Sequence, residues 1–175
     1  VGLNLRGALT GGGTSLTFIS FGLLAYLAGA VLDAVTSFRG VALVTQFTYF
    51  TTAQQQLALY GAISMLLFGS VYFALPRLIG RPWISGSFVR SHMVLSMVGI
   101  FLLVGSLAVA GLIQGTELIN PKTTFGEIAD RTRPWLLAVS VAQVFLLIGN
   151  ILVLVNFLRS VCGLWCSGAV SEVGS

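Results

Sequence analysis

The chain has 175 residues, 56% of them hydrophobic and 8% charged, with a mean hydropathy of +0.97. That balance excludes a soluble globular domain and matches a polytopic membrane protein. The formal net charge of +4 is carried by arginines in the connecting segments, which excludes a nucleic-acid-binding patch.

In chain order, residues 1–14 read as a cytoplasmic amino-terminal segment. No cleavable signal peptide is expected there, because Arg6 is followed by Gly11-Gly12-Gly13 rather than a short apolar core. Four apolar spans are predicted at about residues 15–37, 49–75, 88–113 and 135–158, each long enough to cross a hydrocarbon core. No Asp, Glu, Lys or Arg falls between Arg39 and Arg77, between Arg90 and Glu117, or between Arg133 and Arg159. Trp83, Trp135 and Trp165 mark the membrane interfaces. Pro76 and Pro82 bracket the turn between the second and third spans, and Pro134 stands where a fourth helix would start. Short connections are therefore expected after the first two spans, and a longer outer loop around Gly115–Pro134. Residues 159–175 read as a cytoplasmic tail. The fold class is all-α, an integral membrane four-helix bundle.

Lys and Arg set the orientation. Arg6, Arg77, Arg81, Arg90 and Arg159 fall on one side, and Arg39, Lys122, Arg131 and Arg133 on the other. The larger set places both termini in the cytoplasm of a bacterial inner membrane. Cys162 and Cys166 have no further Cys and no nearby His with which to complete a zinc site. On the cytoplasmic side a disulfide is not expected, so they read as incidental.

The second span opens Phe47-Thr-Tyr-Phe-Thr-Thr-Ala-Gln-Gln-Gln-Leu-Ala-Leu-Tyr-Gly61. This resembles the heme-ligand helix of heme–copper oxidase large subunits, in the cbb-type form F-T-x-x-T-x-x-H-x-H-L-x-L-Y-G. Phe68-Gly-Ser-Val-Tyr72, Leu75-Pro-Arg-Leu78, Arg90-Ser-His92, Ala110-Gly-Leu-Ile-Gln-Gly115, Gly149 and Asn156 continue the likeness in order. The resemblance implies that the four spans correspond to helices nine to twelve of a twelve-helix subunit, without counterparts of the first eight. It also implies that Gln54 and Gln56 occupy the places of two histidines, one for the low-spin heme and one for the heme beside copper.

Independently of the resemblance, residues two apart on a helix point about 200° apart, so such a pair serves opposite sides of one helix. A carboxamide is not among the usual axial ligands of heme iron. With the resemblance, this makes Gln54 and Gln56 degenerate heme-ligand positions, and no catalytic, cofactor-binding or metal residue is expected in this chain. Heme, with copper, is expected in partner subunits. The polar track Thr45, Gln46, Thr48, Thr51, Thr52, Gln54, Gln55 and Gln56 is costly against lipid and should face protein, water or a bound head group. Gly111 and Gly115 form a close-approach motif for a neighbouring helix. His92, the sole histidine, reads as an interfacial hydrogen-bonding residue, with proton relay as its functional alternative.

Three functions follow. The first is a cofactor-free, subunit-I-like membrane component of a respiratory complex, structural or lining a quinone pocket. Its partners would be other membrane subunits, a cytochrome-containing one among them, with lipid or quinone as small ligands and no nucleic acid. The second is the carboxy-terminal part of a split cytochrome c oxidase or nitric oxide reductase large subunit, active only with its partner chain. A carrier or channel ranks last, because no inverted repeat relates the spans.

Overall fold

The computed structural model describes residues 13–80, 83 and 85–172, with side chains through residue 160. Arg6, Arg81, Pro82 and the side chains of Cys162, Trp165 and Cys166 lie outside the described residues. Among the described residues five helices follow in order: α1 (Gly13–Thr36), the short α2 (Arg39–Thr45), α3 (Tyr49–Ile79), α4 (Gly86–Leu118) and α5 (Phe125–Glu172). No strand occurs among the described residues. α1, α3, α4 and the Phe125–Ser160 part of α5 are each long and apolar enough to cross a membrane. The chain is a multi-pass, all-helical membrane protein.

Local chemistry sets the helix ends. Thr48 caps α3, its hydroxyl accepting from the Phe50 amide at 3.2 Å, and Ser85 caps α4 by accepting from the Phe88 amide at 3.4 Å. α3 ends at Gly80, whose φ of +71° is a left-handed cap that glycine adopts without a Cβ penalty. Pro76 stands inside the last part of α3 rather than after it.

The expected long loop at Gly115–Pro134 is not there. α4 runs to Leu118, α5 starts at Phe125, and only residues 119–124 connect them. The cause is a capping box. The Thr124 amide donates to Glu127 Oε2 at 2.8 Å and the Glu127 amide to the Thr124 hydroxyl at 3.4 Å, satisfying two free donors and starting the helix early. Glu117 and Arg131 are ion-paired across the connection. Pro134 consequently lies inside α5. The segment read as a tail continues α5 as helix through Glu172.

α3 is not uniform. Leu57–Ser64 is π-helical, with wider turns than the α-helix on either side, and the Ser64 hydroxyl returns to the Leu59 carbonyl at 2.9 Å. Such wide turns inside α-helices concentrate at functional sites. The interior is built from Phe18 of α1, Met65 and Tyr72 of α3, Ile100, Leu103 and Leu107 of α4, and Ala142 and Leu146 of α5. Small residues let the helices approach. Gly69 lies against Phe18 and Ile19, and Gly99 against Leu146. The outward faces keep large apolar side chains such as Leu24, Leu27, Leu67, Phe101 and Leu147, as lipid or partner helices require.

Candidate functional site

The polar track sits at the elbow between α2 and α3. The Thr45 carbonyl accepts from the Thr48 hydroxyl at 2.8 Å and the Thr51 hydroxyl at 3.1 Å, while Thr45 Oγ1 donates to the Val41 carbonyl at 3.0 Å. Thr45 and Thr48 are buried, Thr52 is half-buried, and Gln46 faces outward. Between them Phe47 takes a φ of +60°, uncommon for a residue with a Cβ, and its ring is 96% exposed. The elbow is bent by backbone geometry and held by hydroxyl-to-carbonyl bonds.

Gly111 and Gly115 receive this elbow. A Cβ at Gly111 would meet the backbone of Phe50, and one at Gly115 the carbonyl of Val44. Between the two glycines, Gln114 Oε1 accepts from the Tyr49 amide at 3.0 Å, satisfying a donor that the first turn of α3 leaves free. Gln114 entered the sequence reading only as part of the Ala110–Gly115 motif, with no role of its own. Its signal is its position between the two close-approach glycines.

The three glutamines diverge, as steps of about 100° require. Gln54 Nε2 donates to Asp33 Oδ1 at 2.9 Å and to Thr36 Oγ1 at 3.1 Å, tying α3 to the end of α1. Gln55 is exposed. Gln56 is half-buried, and its Oε1 is enclosed without a protein hydrogen-bond partner.

Nearer the other end of the bundle, His92 is 0% exposed, enclosed by protein side chains. Its Nδ1 lies 3.0 Å from the Tyr72 hydroxyl. Phe68 meets the imidazole edge-on at 4.6 Å, and Phe18 tilts against it at 5.2 Å. Trp83 packs on Tyr72 at 5.1 Å and donates its indole N–H to the Tyr72 carbonyl at 3.4 Å.

Four long apolar helices thus carry a polar elbow and a level of glutamines on α3. The family described as cytochrome c and quinol oxidase polypeptide I matches residues 3–161, and the chain belongs to that family. No curated protein matches the chain. Heme iron takes imidazole, thioether, thiolate or phenolate axial ligands. Gln54 and Gln56 offer carboxamides, and the Gln54 amide nitrogen is already committed to Asp33 and Thr36. These two residues do not fit an axial ligand pair. Among the described residues no group of three or more His, Cys, Asp or Glu is placed to hold a metal ion.

Proposed function

We propose that this chain is a subunit-I-like membrane component of a respiratory complex that ligates no heme itself and acts in assembly or in lining a quinone pocket. It corresponds in this reading to the last four helices of a cbb-type large subunit, set in a bacterial inner membrane with both termini in the cytoplasm. Heme and copper belong to partner subunits, one of them a cytochrome. The observation that carries the reading is Gln54. It stands where the resemblance requires a histidine, and its side chain joins α3 to α1 through Asp33 and Thr36. A ligand position has become a structural tie. The outward Leu24 and Phe101 belong to the surface through which such a component would meet other helices.

The second reading is the carboxy-terminal part of a split oxidase or nitric oxide reductase large subunit. The glutamines weigh against it, since a split enzyme still needs its axial ligands. A pyridine-hemochrome assay on the purified complex, with heme counted per copy before and after this chain is stripped away, separates the two. Heme that stays wholly with the partners supports the first reading. Heme that leaves with this chain overturns it.

A further inference from the structure

We propose that the pocket where α4 and α5 join binds the head group of a phospholipid bearing a primary amine. The lipid phosphate lies against Arg133 and its ammonium against Asp130, with the tails running down the outer face of α5. The pocket holds about 280 Å³, and Gln114, Phe125, Ile128, Asp130, Arg133 and Leu136 are among its walls. Whole small-molecule ligands occupy roughly 300–1,000 Å³. A head group whose tails lie outside matches the smaller space.

The first support is a pair of charges that do not meet. Asp130 and Arg133 are three residues apart on α5, a spacing at which opposite charges on a helix are neighbours. Both line the pocket, yet among the described residues the one ion pair joins Arg131 to Glu117. The charge of Arg131 is thereby engaged. Asp130 and Arg133 instead leave one negative and one positive group facing the same space.

That pattern selects the ligand. A simple anion would meet the carboxylate, and a simple cation would meet the guanidinium. A ligand carrying both signs satisfies both. The guanidinium fork matches phosphate oxygens with two parallel bonds, and a primary ammonium brings three hydrogens for the carboxylate. A quaternary amine brings none. Gln114 adds a further polar contact. Its Oε1 accepts from the Tyr49 amide at 3.0 Å, which fixes the amide's orientation and leaves its two hydrogens for a phosphate or ester oxygen.

The second support is the surface below the pocket. Leu137, Val141 and Val144 follow Arg133 at helical spacing on one face of α5, and all three are exposed. From Arg133 to Val144 the helix rises about 16 Å. That is close to half of the roughly 30 Å hydrocarbon core, the depth of one leaflet. Phe125, also exposed, stands at the pocket and Trp135 just past it, where aromatic side chains mark a membrane interface. A two-sign pocket above an apolar stripe one leaflet deep has the outline of a phospholipid rather than of a soluble ion.

The test uses the whole complex, reconstituted in equal parts of phosphatidylethanolamine, phosphatidylglycerol and phosphatidylcholine, then extracted in mild detergent for native mass spectrometry. Arg133→Gln should lose a lipid that the unsubstituted complex retains, and that lipid should be phosphatidylethanolamine. Asp130→Asn should lower its retention about tenfold, as the loss of a charged hydrogen bond does, and leave phosphatidylglycerol unchanged. Arg131→Gln, whose charge is tied to Glu117, should alter neither. Unchanged retention in R133Q, equal loss of all three lipids, or a loss in R131Q as large as in R133Q overturns the site. A photo-crosslinking residue at Phe125 gives a reading that needs no charge variant. Label on phosphatidylethanolamine supports the site; label on a partner subunit or on the other two lipids overturns it.

Discussion

The carbonyl of Val44 rests against the α-carbon of Gly115 so closely that no Cβ fits between them. One turn earlier Gly111 meets the Phe50 backbone in the same way. Backbone on backbone is the least forgiving kind of contact, since neither side has a flexible end to move aside.

Alanine at Gly111 or Gly115 should therefore open the elbow and destabilise the bundle by about 1–3 kcal/mol, the usual range for overpacking, or more. Gly105→Ala, on the same helix with nothing within 4 Å of its Cβ position, should be neutral or stabilising by up to about 1 kcal/mol. Thermal unfolding in detergent, compared across the three variants, checks both signs. Equal effects at Gly105 and Gly115 would refute the contact's role.

Single Gln54→Leu should weaken assembly mildly, because hydrogen bonds between membrane helices average about 0.6 kcal/mol in measured cycles. A double-mutant cycle with Asp33→Ala should show coupling of that size. Replacing Gln54, Gln55 and Gln56 together by Leu should lower recovery of the complex clearly. Should turnover collapse while assembly stays intact, the glutamines are functional and the structural reading fails.

Tyr72→Phe keeps the packing on Phe18 and Trp83 but takes the hydroxyl from His92 Nδ1. A buried polar nitrogen left unmatched costs about 1–3 kcal/mol, so the variant should melt measurably lower. No change in melting would mean that water replaces the hydroxyl fully.

Four crossings predict alternating accessibility. Single cysteines at Ser37 and Lys122, in a background without Cys162 and Cys166, should react with an impermeant maleimide from one side of oriented vesicles. A cysteine at Gly80 should react only from the other. Labelling of Ser37 and Gly80 from the same side would remove one crossing.

The four spans could be read from the sequence because apolar length and the segregation of charge are one-dimensional signals. The Gln54 position was equally visible, through the motif around it. Its partner Asp33 was not, since a contact between α1 and α3 depends on how they pack. The early start of α5 was within reach: Thr124-x-x-Glu127 is a capping-box spelling, and Pro134 drew attention to the wrong boundary. The enclosure of His92 was not legible, because an exposed and an enclosed imidazole carry the same local sequence. Only Tyr72, Phe18 and Phe68 brought together in space distinguish them.

The π-helical stretch of α3 alters how any variant beyond it is interpreted. Each residue of Leu57–Ser64 turns the chain by less than the about 100° of an α-helix. A helical wheel drawn at one constant period through Tyr49–Ile79 therefore assigns faces wrongly after Ser64. Gly69 and Tyr72 point inward because that phase lag is in place. Shortening the stretch by one residue would turn them away from Phe18 and His92 with every side chain still present, so the sequence would survive almost intact while the interior lost its hydroxyl.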